Sequence, residues 1–96
     1  MDYEFYRQKW YEIHSKAAEV NRGERSHRSF CNWMRNVPND LPCSICSGHA
    51  RDYMRKYPPE KYHDMFYWAW KFHNEVNNRK SKPLVSYDDA RRRYRV

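Results

Sequence analysis

The sequence predicts an all-α fold, a four-helix up-and-down bundle with a short fifth helix. Apolar residues recur at three- and four-residue spacing in four successive segments, as in helices that bury one face. Glycine or proline separates these segments, and no segment alternates apolar and polar residues as a half-buried strand would. The connections are short, so consecutive helices are expected to run antiparallel. A chain of 96 residues suits one domain spanning residues 1–96.

Two helices are predicted in the N-terminal half. The first stops near Gly23, and its apolar stripe consists of Tyr6, Trp10, Ile13, Ala17 and Val20. The second has a stripe made of Phe30, Trp33, Met34 and Val37. Because proline lacks the backbone N–H that a helix interior needs, the second helix is expected to end at Pro38.

Three helices are predicted in the C-terminal half. The third begins at Leu41-Pro42-Cys43 and is broken by Pro58-Pro59, and its inward residues are Ile45, His49, Tyr53, Met54 and Tyr57. The fourth runs from about Glu60 to Arg79, and its broad inner face consists of Tyr62, Met65, Phe66, Ala69, Trp70, His73, Val76 and Asn77. Ser86 and Asp89 have the spacing of a capping box, which predicts a fifth helix from Tyr87 to Tyr94.

The composition indicates a core built from aromatic side chains. Leu, Ile, Val and Phe together number only 13, and the net charge is +7, which is typical of disordered chains. Four Trp and nine Tyr argue against disorder, because aromatic side chains bury large areas and are scarce in disordered chains. We expect a folded domain that depends on a cofactor or a second subunit for part of its stability.

Several functional classes are disfavoured by what the sequence lacks. No apolar run approaches the roughly 20 residues of a membrane span, and the charged, aromatic first ten residues do not resemble a secretory signal peptide. Two glycines are too few for a glycine-rich phosphate loop. The basic charge leaves nucleic-acid binding as an alternative. However, the basic residues are spread along the chain, apart from a C-terminal group interpreted as mostly solvated, Arg91, Arg92, Arg93 and Arg95.

Cys43 and Cys46 form a CxxC motif, and Cys31 stands apart. Helix positions i and i+3 lie on the same side, and a helix N-terminus lowers a nearby thiol pKa, so the motif suits a redox disulfide. The alternative is half of a zinc site, in which Cys31, His49 or His63 would complete the usual four ligands. The CxxC motif by itself leaves redox, zinc and neither role open.

Two predicted helices each place tryptophan and histidine on one face. Trp10 and His14 are four residues apart, and Trp70 shares a face with His73 and Asn77. One such face alone would favour a satisfied core histidine and an exposed asparagine. Because the arrangement occurs twice, we interpret the faces as walls of a slot for a flat heteroaromatic ligand.

Three motifs occur in order along the chain. They are Arg7-Gln8-Lys9-Trp10 with His14, then Leu41-Pro42-Cys43-Ser44-Ile45-Cys46 with His49-Ala50, then His73-Asn74-Glu75-Val76-Asn77 with Lys82-Pro83. In these motifs the chain resembles the Erv/Alr family of FAD-linked sulfhydryl oxidases, in particular the small single-domain form of large DNA viruses. The resemblance implies a four-helix bundle with a short fifth helix, FAD at the mouth of the bundle, and usually a homodimer.

The resemblance also implies roles for individual residues. Cys43 and Cys46 would be catalytic, with Cys43 exchanging with the substrate dithiol and Cys46 lying against the flavin. The implied FAD-binding residues are Arg7, Trp10, His14, Cys46, Trp70, His73, Asn74, Asn77, Lys82, Arg93 and Tyr94. Arg7 and Lys82 would meet the pyrophosphate, and Tyr94 replaces a tryptophan that packs on the adenine in the family.

By the same resemblance, the enzyme would convert two thiols and oxygen into a disulfide and hydrogen peroxide. Its substrate would be a thiol or dithiol protein, such as a thioredoxin-like or small CxxC carrier, and no metal, nucleic acid or membrane span is expected. A viral enzyme would act in the host cytoplasm or in the virion, because the cytosol otherwise keeps thiols reduced.

The chain departs from cellular relatives, which often carry a second, shuttle CxxC and structural disulfides. Neither is available here, since the only further cysteine is Cys31. We interpret Cys31 as a buried thiol of the second helix, with an intersubunit disulfide as the alternative.

Overall fold

The computed structural model describes residues 3–96. Within that range it contains five α-helices, one turn of 3-10 helix and no strand. The α-helices are α1 (Tyr3–Asn21), α2 (His27–Asp40), α3 (Ser44–Lys56), α4 (Met65–Arg79) and α5 (Tyr87–Arg93), and the 3-10 turn is Pro59–Lys61. The predicted all-α class with four longer helices and a short fifth is confirmed.

Side-chain caps fix where four of the helices begin. Ser26 accepts a hydrogen bond from a backbone N–H at the start of α2, and Asp64 and Ser86 do the same for α4 and α5. Cys43 caps α3 through its sulfur. Each cap satisfies one of the N–H groups that the first turn of a helix leaves unpaired. The predicted capping role of Ser86 is confirmed.

Two predicted helix boundaries are wrong. Helix α2 continues through Pro38 to Asp40, because proline removes only its own backbone N–H, while its carbonyl still accepts from the Leu41 N–H at the end of the helix. Helix α4 begins at Met65 rather than near Glu60. The Pro58-Pro59 pair leads into the 3-10 turn, and the chain returns to α-helix only at the Asp64 cap.

The four long helices enclose an aromatic core, as the composition predicts. Helix α1 packs on α4 and on α2, and α2 packs on α3. Helix α3 in turn contacts α4 through aromatic rings. The ring centroid of Tyr53 lies 5.9 Å from that of Trp68 and 5.0 Å from that of Phe72. The fully buried large side chains of this core include Ile13, Phe30, Met34, Met54, Met65 and Trp68.

Trp68 lies at the centre of this core, although the predicted apolar stripe of the fourth helix did not include it. Its side chain has no exposed surface, and its indole N–H donates to the Tyr57 carbonyl over 2.8 Å. Phe72, also missed by the stripe, is buried beside it. By contrast, Ile45 and Tyr57, predicted to face inward, are 68% and 39% exposed.

A second, smaller cluster attaches α5 to the bundle. Ala18 of α1, Phe66 of α4 and Ala90 of α5 are buried together, with half-buried aromatic residues around them. No helix within residues 3–96 has the length and apolar character needed to cross a bilayer.

Replacing Trp68 with alanine is expected to lower the free energy of unfolding by about 3–5 kcal/mol, because it removes a buried aromatic side chain and leaves a cavity. Urea denaturation followed by circular dichroism measures the change. Tyr11→Ala is the matched control, since Tyr11 is 57% exposed, and it should cost less than about 1 kcal/mol. Equal costs for the two substitutions would show that Trp68 is not the centre of the core.

Candidate active site

The CxxC motif lies at the N-terminus of α3, where its two sulfurs have different surroundings. The Cys43 sulfur accepts a hydrogen bond from the Cys46 backbone N–H over 3.2 Å. The Cys43 pKa is lowered by a hydrogen bond from the Cys46 side chain, by the backbone N–H groups of Cys46 and Ile45, and by the charge of Lys80. Burial and the neighbouring Cys43 raise the Cys46 pKa, against smaller opposing effects of Tyr6 and Lys80. Cys43 is therefore the thiol that ionises first and the better nucleophile near neutral pH.

An apolar cavity of about 180 Å³ opens beside Cys46. Residues of α1, α2, α3 and α4 line it, and Cys46 is among them while Cys43 is not. The lining is formed by Tyr6, Lys9, Trp10, Ile13, Val37, Leu41, Ile45, Cys46, His49, Ala50, Phe72, Val76, Arg79 and Lys80. The inner cysteine of the motif thus faces an enclosed apolar space.

Four of the predicted ligand-binding residues form one aromatic cluster next to this cavity. Trp10 stacks on His73 with ring centroids 3.9 Å apart and planes 11° from parallel. His14 stacks on Tyr94 at 4.0 Å and 4°, and lies 5.2 Å from His73. The two predicted walls are therefore in direct contact, with no open slot between them, and Trp10 joins the cluster to the cavity.

Both histidines of the cluster are neutral near pH 7. Burial lowers the pKa of His14 to about 4. Burial, together with the charges of His14, Arg93 and Lys82, lowers the pKa of His73 to about 3. The His14 Nδ1 lies 2.8 Å from the Trp10 carbonyl oxygen, which can only accept, so Nδ1 donates and Nε2 is a lone-pair acceptor. That buried Nε2 has no hydrogen-bond partner among residues 3–96.

Two predicted ligand-binding residues hold a loop instead. The Asn74 side-chain amide both donates to the Val85 carbonyl and accepts from the Val85 N–H, each over 2.9 Å. The Trp70 indole N–H donates to the same carbonyl over 2.7 Å. These bonds fix the segment between α4 and α5, so the polar groups of Asn74 and Trp70 already bond to the backbone of Val85.

The predicted cationic residues lie at the surface. Arg7 is exposed and pairs with Glu4 over 3.7 Å, so the structure does not bring it to the cluster. Lys82 and Arg93 are exposed, yet both act on the pKa of His73. Asn77 is half-buried, and its backbone carbonyl accepts from the Lys82 N–H over 2.8 Å.

Tyr6 and Lys80 belong to the site although the sequence did not indicate a role there. The Lys80 ammonium lies 4.8 Å from the centre of the Tyr6 ring, and both residues line the cavity. Tyr6 was recognised only as part of the α1 stripe. Lys80 follows the last residue of α4, where helical periodicity no longer predicts which way a side chain points.

The zinc alternative would need Cys31, His49 or His63 beside the CxxC motif. Across residues 3–96, the structure gathers no group of three or more His, Cys, Asp and Glu side chains that could hold a metal ion. Cys31 is a buried thiol of α2, as predicted, and burial raises its pKa to about 11. Its sulfur contacts the His27 ring at 3.9 Å.

A comparison with protein-family models matches residues 7–95 to the Erv1/Alr family. The chain belongs to the Erv1/Alr family. It is 38% identical over 64 residues to a protein of African swine fever virus, isolate Warthog/Namibia, named FAD-linked sulfhydryl oxidase; the match covers 65% of this chain and 54% of that protein. It is also 30% identical over 93 residues to the putative FAD-linked sulfhydryl oxidase 096R of Invertebrate iridescent virus 3, covering 91% and 63% of the two chains.

The matched region therefore spans about half the length of the African swine fever virus relative. No solved structure gave a significant match. The family match includes the CxxC motif, the cavity residue Trp10 and the histidine cluster, all of which lie within residues 7–95.

The neutral histidines of this Erv1/Alr chain predict a loss of stability in mild acid. The pKa of each is lower in the folded protein than the ordinary value of 6.5, so the unfolded chain binds more protons as the pH falls below 6.5. The free energy of unfolding should therefore fall between about pH 6.5 and pH 4, by up to about 1.4 kcal/mol per unit of pKa difference for each histidine.

Urea midpoints measured at several pH values between about 7 and 5 test this, because this window lies above the ordinary range of carboxyl groups. His73→Gln should flatten the pH dependence. The control is His63→Gln, since His63 is exposed, and it should retain the slope of the unmodified chain. A midpoint that is constant across this window would contradict the neutral, buried state of the two rings.

Proposed function

We propose that residues 1–96 form a single FAD-linked sulfhydryl oxidase domain that makes disulfides through Cys43 and Cys46. The observation that carries the proposal is the position of the CxxC motif in an Erv1/Alr chain. Its outer thiol has a lowered pKa, and its inner thiol opens on an apolar cavity. A nucleophile with a lowered pKa and a partner cysteine beside an apolar cavity are what a thiol relay to a bound cofactor requires.

The residues present fit FAD. The apolar cavity suits a flat ring system beside Cys46. The unpartnered, buried Nε2 of His14 is an acceptor, and the adenine amino group is a donor of the kind it lacks. Lys82 and Arg93 supply positive charge near the cluster, which suits phosphate groups.

The proposed FAD-binding set follows the sequence prediction, with distinct roles within it. The direct contacts are assigned to Trp10, His14, Cys46, His73, Asn77 and Tyr94, with Lys82 and Arg93 toward the phosphates. Trp70 and Asn74 would act indirectly, by holding the Val85 segment. Arg7 would reach the cofactor only by leaving its exposed ion pair with Glu4, which costs little at the surface.

The thiol chemistry begins at Cys43. In the oxidised protein, a substrate thiolate attacks the Cys43 sulfur, forms a mixed disulfide and breaks the Cys43–Cys46 bond, so the electron pair passes to the Cys46 sulfur. A second substrate thiolate then attacks the substrate sulfur of the mixed disulfide and releases Cys43 as a thiolate. The two substrate thiols become a disulfide, and the two electrons they lose reside on Cys43 and Cys46.

Cys46, which lines the cavity, is the cysteine from which the two electrons would leave the protein. When bound, FAD would supply the two-electron acceptor, with oxygen as the final oxidant and hydrogen peroxide as the product. The protein contributes the position of Cys46, the apolar walls that exclude water, and neutral histidines that add no charge to the cluster. The helix N-terminus and Lys80 stabilise the negative charge left on the cysteines.

The proposed oxidase acts on protein thiols, forms a homodimer and works in an infected cell or in the virion. A thiol or dithiol protein is the proposed substrate and oxygen the electron acceptor. Exposed aromatic residues on α1 such as Tyr3 and Tyr11, 62% and 57% exposed, support a homodimer that covers part of this surface. Because the matched relatives are viral proteins, the host cytoplasm or the virion is the proposed location.

Substituting the cysteines one at a time tests the relay. Cys43→Ser and Cys46→Ser should each abolish oxygen consumption with dithiothreitol, because each removes one sulfur of the pair. Cys31→Ala should retain close to the normal rate, since the Cys31 thiol is buried and lies outside the cavity. An oxygen electrode measures the rate, and a peroxide assay identifies the product.

Mass spectrometry distinguishes the two active cysteines. After reaction with oxidised glutathione, Cys46→Ser should keep a mixed disulfide on Cys43, because the resolving thiol is missing. In the unmodified protein, Cys46 should displace the glutathione. The relay would be rejected if either CxxC variant consumed oxygen at the normal rate or if the Cys31→Ala chain did not.

A further inference from the structure

Tyr6 and Lys80 form a contact at the cavity wall next to Cys46. Tyr6 lies in the N-terminal part of α1, and Lys80 follows the last residue of α4. The Lys80 ammonium lies 4.8 Å from the centre of the Tyr6 ring, within the range of a favourable cation–π contact. The Tyr6 hydroxyl is buried, Tyr6 lines the cavity together with Cys46, and its side chain acts to lower the Cys46 pKa. The tyrosine, the lysine and the inner cysteine thus share one part of the cavity wall.

This arrangement favours a negative charge on that sulfur. A phenol O–H donates more strongly to a thiolate than to a thiol, because hydrogen bonds to ionised acceptors are stronger. The positive charge of Lys80 acts in the same direction on Cys46. Both effects oppose burial and the neighbouring Cys43, which raise the Cys46 pKa.

We propose that Tyr6 and Lys80 are positioning residues that stabilise Cys46 as a thiolate in the cavity when the Cys43–Cys46 disulfide is reduced. The proposal rests on the proposed function, since only a relay through Cys46 needs a charged sulfur there. When a substrate thiolate attacks Cys43, the Cys46 sulfur leaves with the electron pair of the broken bond. A stabilised leaving thiolate speeds that exchange, and the same thiolate is the electron donor that follows.

The test measures the ionisation of Cys46 directly. In the Cys43→Ser chain, the rate of Cys46 alkylation by iodoacetamide is followed against pH, because only the thiolate reacts. Peptide mass spectrometry separates Cys46 from the buried Cys31. Tyr6→Phe retains the ring but removes the hydroxyl, and the alkylation midpoint should rise by about one pH unit, or about tenfold less thiolate at neutral pH.

Lysine variants test the second half of the contact. Lys80→Met should also raise the midpoint, and Lys80→Arg should restore it, because arginine keeps the charge and stacks on aromatic rings. The matched control is Lys16→Met. Lys16 also lies over an aromatic ring, 5.2 Å from the centre of Trp33, but outside the cavity. Its loss removes the same net charge and should leave the midpoint unchanged.

An unchanged midpoint in Tyr6→Phe, or equal shifts in Lys80→Met and Lys16→Met, would overturn the proposal. Circular dichroism confirms that each variant retains its helices before the titration. The measurement needs neither oxygen nor turnover, so it remains informative even if Cys46→Ser proves to consume oxygen. That outcome would reject the relay, whereas an unmoved titration rejects only the role of Tyr6 and Lys80.

Discussion

The contact between α1 and α4 is the constraint on which the rest of the site depends. Trp10 stacks on His73 across this contact, and the same tryptophan forms one wall of the cavity beside Cys46. The contact also brings the N-terminal part of α1, with Tyr6, over the start of α3. A chain with few aliphatic residues thus uses ring stacking both to hold two helices together and to shape the space between them.

The electrostatics of the site separate charged from neutral groups. Cys43 lies at an exposed helix N-terminus that lowers its pKa, while Cys46 lies against apolar walls that raise its own. One turn of helix therefore separates a reactive thiol from an enclosed one. Burial keeps His14 and His73 uncharged beside the cavity, and the positive charges of the cluster remain at the surface on Lys82 and Arg93. Charge is thus concentrated at the N-terminus of α3, where thiols would react, and at Lys82 and Arg93, where phosphates would bind.

The sequence predicted the helices, the Ser86 cap and the CxxC motif, because these features depend on spacing and on local hydrogen bonds. Trp68 was missed because α4 is apolar on more than one side, and a stripe does not reveal which side meets the rings of α2 and α3. Ile45 was misplaced because its side chain lines the open cavity rather than the packed core, and it is 68% exposed. The roles of Asn74 and Lys80 depend on how residues beyond α4 fold back, which periodicity does not describe.

We propose that the cavity beside Cys46 and the adjoining histidine cluster hold FAD. The visible absorption spectrum of the purified chain, recorded after gel filtration, tests this most directly, together with the flavin released on denaturation. We expect a yellow protein with about one FAD per chain, and a spectrum perturbed relative to free FAD because the ring would lie in an apolar site. A colourless protein that remains colourless after incubation with excess FAD and renewed gel filtration would contradict it.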